Sequence, residues 1–161
     1  MRVLVDSNVL FDYDQGLDKA TAWWEEKVQE GWRIYISEIS VMEALRGIAG
    51  MQGSRRDALR NLRSRIEKMR SDRKIRGIFV VDRVIMRKAR ELLEDYCEHR
   101  TPPPSREKMQ ALICDMIIAA TILIRKNLIL ISRDQHFEWI AQRYSFRKTG
   151  EREGAVIPLN L

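Results

Sequence analysis

Four acids, Asp6, Glu43, Asp115 and Asp134, hold the positions at which this sequence could do chemistry. Asp6 closes the apolar run VLV (3–5), and Asp134 stands three residues past LILI (128–131). Glu43 lies six residues past RIYIS (33–37), on the first turns of a helix, and Asp115 lies inside the most hydrophobic helix, 107–125. In a doubly wound parallel sheet, ligands bind beyond the carboxyl ends of the strands. If these runs are strands of one such sheet, all four acids reach a single edge. Carboxylates gathered there repel one another unless a cation sits among them. Hard oxygen ligands without His or Cys select Mg²⁺ or Mn²⁺. Such an ion neutralises a phosphodiester, activates a water and stabilises the leaving oxygen.

Three of the acids also have a plainer reading. Asp6 precedes Ser7 and Asn8 and suits a turn. Glu43 follows Ser40 by three residues, the spacing of a capping box. Asp134 suits the N-cap of the helix that follows. Asp115 resists this treatment, because apolar residues surround it on nearly every side of its helix. A buried carboxylate without compensation is strongly unfavourable. It needs an arginine, a donor cluster or a metal, and a structural ion pair with an arginine is the alternative to a site. Other catalytic schemes fit poorly. The chain has two histidines, His99 and His136, and no G-x-S-x-G, Walker A, G-x-G-x-x-G or H-E-x-x-H motif. Asp6 is followed by Ser7 and Asn8, so it lacks the D-x-D of aspartate-nucleophile phosphatases.

The elements that must position these acids alternate along the chain. Strands are expected at 3–5, 33–37, 78–81, 128–131 and 155–158. Helices are expected through Ala20, Trp23, Trp24 and Val28 to near Gly31, from Ser40, over 54–73, after an Asp82 cap, over 107–125 and from about 135 to 143. TPPPS (101–105) reads as a stiff exposed loop. The strands are uniformly apolar, which suits a parallel sheet buried on both faces. The expected fold is α/β, a three-layer α/β/α sandwich with a mainly parallel sheet of about five strands, in one domain over 1–161. The 161 residues suffice for one sizeable core. Cys97 and Cys114 lack the spacing of a metal knuckle or a disulfide framework. With no membrane-spanning stretch and an acid at position 6 rather than a secretory leader, a cytoplasmic protein is expected.

The formal charge of +6 is unevenly spread. A basic helical arm at about 50–76 holds Arg55, Arg56, Arg60, Arg63, Arg65, Lys68, Arg70, Arg73, Lys74 and Arg76. Only Asp57, Glu67 and Asp72 oppose them there, so the arm carries the whole excess and the rest of the chain is near neutral. Leu59, Leu62, Ile66 and Met69 form a narrow apolar stripe along it, facing the domain or a partner subunit. The arm reads either as a solvated helix or, preferably, as a contact for RNA phosphates, which arginine suits by its fork of donors. No RNP-type aromatic motif points to base stacking.

The segments VLVDSNVLFDY (3–13), ISEISVMEALRG (36–47), CDMIIAATILIRKNLILISRD (114–134) and Phe137 in QHF (135–137) occur in an order and spacing that resembles the PIN domain, and within it the VapC-type toxin ribonucleases. The resemblance spans nearly the whole chain. It implies Mg²⁺- or Mn²⁺-dependent phosphodiester hydrolysis, with Asp6, Glu43, Asp115 and Asp134 as catalytic, metal-binding acids. It also implies supporting roles for Ser7, Asn8, Ser132 and Arg46, with Arg46 and Gly47 matching a common Arg-Gly. Many relatives have a further acid where this chain has His136, so a second ion would bind more weakly here. The expected function is an endoribonuclease, the toxin of a type II toxin–antitoxin pair. In-line attack by water would leave a 5′-phosphate and a 3′-hydroxyl. The expected partners are RNA, a cognate antitoxin that could share the basic arm, and a second copy of the chain. The rival readings are a PIN-like nucleic-acid-binding module without turnover and a DNA-directed nuclease of the same fold.

Overall fold

The apolar runs assemble into one sheet. The computed structural model describes residues 1–49, 55–99, 104–125, 127–134, 136–144 and 156–158. In chain order the elements are β1 (Arg2–Val5), α1 (Ser7–Asp14), α2 (Asp18–Gln29), β2 (Arg33–Ser37), α3 (Glu38–Ala49) and α4 (Arg55–Ser71). They continue with β3 (Gly77–Phe79), α5 (Arg83–His99), α6 (Arg106–Ile124), β4 (Ile129–Ser132), α7 (His136–Arg143) and β5 (Val156–Pro158). The strand order is β3-β2-β1-β4-β5, and every pairing is parallel. Four strands lie between Arg2 and Ser132, and the fifth is a short segment at the edge. β1 is central, with Val3 beside both Ile34 and Ile129.

Alternating side chains of a strand face opposite sides of the sheet, and here both sides are covered. Leu4 and Leu130 point into a layer with Ile85, Leu92, Met116 and Phe137 of α5, α6 and α7. Val3, Val5, Ile34, Ile36 and Ile131 point into the other, with Val9, Leu10, Trp24 and Ala44 of α1, α2 and α3. Burial on both faces is why the strands read as unbroken apolar runs. The expected three-layer α/β/α architecture with a parallel sheet is the observed one.

Several expectations need correction. The turn expected at Asp6 is the start of α1, which the sequence reading missed: Asp6 is its N-cap and accepts from the Ser7 amide at 2.7 Å. The helix expected from Ser40 begins at Glu38, and the Ser37 hydroxyl accepts from the Ile39 amide at 3.3 Å. Ser40 is therefore a buried residue inside the helix, and the capping box with Glu43 does not form. β3 ends at Phe79 rather than 81, because the chain then leaves the sheet. The Val81 amide donates to Glu38 there, and Asp82 caps α5 as expected, accepting from Val84 and Ile85. Gly31 does follow α2, with a left-handed φ of 78° that closes the turn into β2. Most of the TPPPS loop lies outside the described residues. Cys97 and Cys114 are free and half-buried. No described helix is long and apolar enough to cross a membrane.

The arm helix α4 belongs to the core. Leu62, Ile66 and Met69 are buried in the same layer as Trp24 and Ile34, and the Leu59 side chain lies outside the described residues. The Trp24 indole donates to the Lys74 carbonyl at 3.0 Å, fixing the turn between α4 and β3. The stripe therefore packs on its own domain. Truncating Leu62 to Ala should cost about 2–5 kcal/mol. Removing the exposed Arg63 side chain should change stability by less than about 0.5 kcal/mol. Urea midpoints of the two variants check this, and equal midpoints would mean that α4 is not part of the core.

Candidate functional site

The carboxyl edge of the sheet gathers the acids. Asp6 leaves β1 with its side chain almost fully buried. Its Oδ1 accepts from the Ser7 amide at 2.7 Å and from the Ser7 hydroxyl at 3.2 Å. Its Oδ2 accepts from the Ser132 hydroxyl at 2.7 Å. Ser132 ends β4, and the same Oγ accepts from the Asp134 amide at 3.0 Å. One buried hydroxyl thus joins the loop that carries Asp134 to the carboxylate that caps α1. That geometry follows from β1 and β4 being neighbours in parallel register, with Val5 beside Ile131.

The other two acids come from helices that pack on each other, α3 and α6. Asp115 on α6 is only 8% exposed. Glu43 on α3 is half-buried, and its Oε2 is shut from solvent without a hydrogen-bond partner among the described residues. The Ser40 hydroxyl, one turn earlier, is in the same condition. Burial pushes the Asp115 carboxyl up to about 8, and the charges of Asp134, Asp6 and Glu43 push the same way. The Asp6 carboxyl is raised to about 6 by burial, with the Glu43 charge adding and the bonds from Ser132 and Ser7 opposing. All four acids therefore lie within electrostatic reach in one negative pocket. Beside it, burial pushes the Cys114 thiol up to about 12, with the Glu43 charge and hydrogen bond next in size. It is therefore no nucleophile at neutral pH. Among the described residues, no three His, Cys, Asp or Glu side chains close into a ready-made ion cage.

The remaining predicted residues divide. Ser7 touches Asp6, and Ser132 joins Asp6 to Asp134. Asn8 is exposed on α1, and Arg46 is exposed on α3 one turn past Glu43. His136 opens α7, and its side chain lies outside the described residues, as do those of Arg55 and Arg56. Several of the other arm cations are drawn to acids outside the candidate site or to the protein's own backbone. Arg65 pairs with Asp14 at 2.6 Å, Lys74 pairs with Glu25, and Arg63 pairs with Glu67 at 3.3 Å. The Arg76 amide donates to the Ile34 carbonyl at the amino end of β2, so Arg73, Lys74 and Arg76 approach the sheet edge opposite the acids.

Sequence reasoning missed one pair. Asp12 on α1 is buried, and its Oδ2 lies 2.6 Å from a guanidinium nitrogen of Arg133, the residue between Ser132 and Asp134. Reading a helix from Asp6 would have revealed it: Asp12 falls one turn after the buried Val9, and an acid there needs a cation.

The raised carboxyls fix a pH dependence. Folded Asp6 and Asp115 keep protons that the unfolded chain releases near pH 4, so unfolding releases protons above that pH. Stability of the metal-free chain should therefore fall as pH rises from about 4 to about 8, with the Asp6 contribution complete by about 6. Thermal midpoints in EDTA should drop from pH 5 to pH 8, and Asp115→Asn should flatten the part above pH 6. Midpoints that rise over this range would contradict the assignment.

The PIN domain model matches residues 3–142. Among solved structures, the chain resembles VapBC2 from Rickettsia felis bound to a DNA fragment from their promoter. The identity is 14% and the TM-score 0.62, covering 99% of this chain and 100% of that one. It also resembles FitAcB from Neisseria gonorrhoeae (20% identity, TM-score 0.61, 96% of each chain). DNA-bound VapBC from Salmonella typhimurium is similar too (15% identity, TM-score 0.61, 98% of each chain). At these identities the likeness is one of fold. No curated protein matches the sequence. The parallel sheet, the acids at its carboxyl edge and the family match over nearly the whole chain agree: this chain belongs to the PIN-domain family.

Proposed function

We propose that the protein is a Mg²⁺- or Mn²⁺-dependent endoribonuclease and the toxin of a type II toxin–antitoxin pair. The observation that carries this reading is the convergence of Asp6, Glu43, Asp115 and Asp134, from four separate elements, at the carboxyl edge of the sheet. The donor set is all oxygen, and the buried Glu43 Oε2 and the mutual repulsion of the gathered carboxyls suit a hard cation. These four acids would hold the ion, which supplies charge neutralisation at the scissile phosphate and activation of water. The chain's own groups do the rest. Ser7 and Ser132 fix the orientation of Asp6, Ser132 positions the Asp134 backbone, and the exposed Asn8 and Arg46 stand at the rim to meet the RNA. Phosphate contact falls to arm cations other than Arg63, Arg65 and Lys74, namely Arg60, Lys68 and Arg70, together with Arg55 and Arg56 at the start of α4.

The VapC-type motifs and the VapBC and FitAcB neighbours support a cognate antitoxin as partner. A second copy of the chain is supported by α5. One exposed face of this helix runs Arg83, Arg87 and Arg90, then Glu94 and Glu98, beside the exposed Met86 and Ile113. Two such helices packed antiparallel about a two-fold axis would set Arg83 opposite Glu98 and Arg87 opposite Glu94, which Arg90 of its own helix also approaches at 3.6 Å. In sedimentation, Arg87→Glu should dissociate the dimer and the double change Arg87→Glu with Glu94→Arg should restore it. A dimer indifferent to both changes would place the contact elsewhere.

The enzymatic reading is tested by cleavage of single-stranded RNA and structured DNA side by side, with Mn²⁺ binding followed by calorimetry. Asp115→Asn and Asp6→Asn should each cut RNA cleavage by about a hundredfold or more, at or beyond the upper end of what outer-shell changes cost, and should lose carboxylate-dependent Mn²⁺ uptake. Uptake without turnover would leave a binding module, and preference for DNA would change the substrate.

A further inference from the structure

We infer that Asp12 and Arg133 form a clamp that sets the position of Asp134 and, through it, the affinity of the acid pocket for its cation. The inference rests on the reading of that pocket proposed above. Arg133 is a positioning residue in this account, because it acts through its neighbour.

Three observations carry it. First, the Asp12 side chain is 6% exposed and lies 2.6 Å from Arg133, whose own side chain is 39% exposed. A buried carboxylate of this kind requires its cation, and removing either partner strands the other. Second, Asp12 sits on α1, the helix capped by Asp6, six residues along and so roughly 9 Å further down its axis. Third, Ser132, Arg133 and Asp134 are consecutive. The Ser132 hydroxyl ties this segment to Asp6, and Arg133 ties it to Asp12. The segment is therefore held to α1 at two separated points rather than one. A single tie leaves a chain segment free to pivot, whereas two ties fix both the place and the direction in which the next residue, Asp134, leaves. The Asp134 amide, bonded to the Ser132 hydroxyl at 3.0 Å, reports on that geometry.

The character of the contact sharpens the test. The 2.6 Å contact joins Asp12 Oδ2 to one terminal guanidinium nitrogen of Arg133. Charge holds the pair, not the planar fork that makes arginine hard to replace at bidentate sites. A lysine at 133 should therefore serve.

The experiment uses the full chain with Arg133→Gln, Arg133→Lys and Asp12→Asn. Mn²⁺ affinity is measured by calorimetry, and amide exchange at 132–134 is measured in EDTA. Arg133→Gln and Asp12→Asn should each weaken Mn²⁺ binding by about tenfold, the lower end of what outer-shell residues contribute. Both should speed exchange at Asp134 while helical circular dichroism is unchanged. Arg133→Lys should stay close to the parent protein in both measurements. Arg133 is partly solvent-facing, so its variants keep the test open if Asp12→Asn fails to fold. The clamp is overturned if Arg133→Gln matches the parent in affinity and exchange, or if Arg133→Lys is as impaired as Arg133→Gln. Slower cleavage with affinity and exchange intact also overturns it, because Arg133 would then touch the RNA directly. If the parent chain takes up no Mn²⁺, the pocket reading fails, and the exchange arm still decides whether the clamp exists.

Discussion

Negative charge held out of water is the constraint on which the rest of this structure depends. Asp6 and Asp115 are almost wholly buried, Glu43 has an oxygen shut from solvent, and the four acids act on one another. Charges in such a place oppose folding unless they are bonded, paired or neutralised by a proton, and the acids stay gathered only because something rigid holds them. The scaffold supplies that rigidity twice. The parallel sheet brings β1 and β4 side by side, so that the Ser132 hydroxyl reaches Asp6. The helices α3 and α6 are packed on that sheet through apolar faces, so Glu43 and Asp115 cannot retreat to water without disturbing the layers. Stability is given up locally to keep a group of carboxylate oxygens in one place.

The surroundings of the pocket serve the same end. The Ser132–Asp134 segment is bound at its start by a hydroxyl and an ion pair. The far end of α7 is bound to α5, where Arg143 donates two hydrogen bonds at 2.7 Å to Asp95. These bonds hold the Asp95 carboxyl well below its usual range. The loop carrying Asp134 is thus anchored on both sides by charged contacts at or near the surface, while its apolar residue Phe137 is buried. The cationic helix α4 is anchored differently. Its apolar stripe joins one core layer, and cations of the helix and of the turn after it pair with acids of α1, α2 and α4 itself. The positive charge of the sequence is therefore less available to a ligand than its amount suggests.

Much of this was legible in the residues themselves. Apolar runs of four or five residues alternating with amphipathic helices determined a parallel α/β sheet, because only burial on both faces removes the alternation of a half-exposed strand. The position of Asp115 inside an apolar helix determined that its charge needed explaining. What remained hidden were features that depend on one or two residues at a boundary. The helix α1 was read as a turn because Asp, Ser and Asn favour both turns and caps, and nothing local separates the two. Glu43 carries a capping reading beside its role as a site acid, because its spacing from Ser40 is right. Only the helix start at Glu38, held by Ser37 and by the Val81–Glu38 contact across elements, removes it.

The sequence by itself determined the fold class, the family and the acids worth watching, since periodicity, hydrophobicity and motif order are properties of the chain alone. Only the tertiary structure decided which groups act on one another. That Ser132 bridges Asp6 and Asp134, that Arg133 reaches Asp12 across 121 positions of sequence, and that Arg76 ends at the sheet edge away from the acids all follow from strand order and register. The physical reason is that such contacts are long-range: a side chain's partner is set by which strands lie together, and no residue carries that information locally.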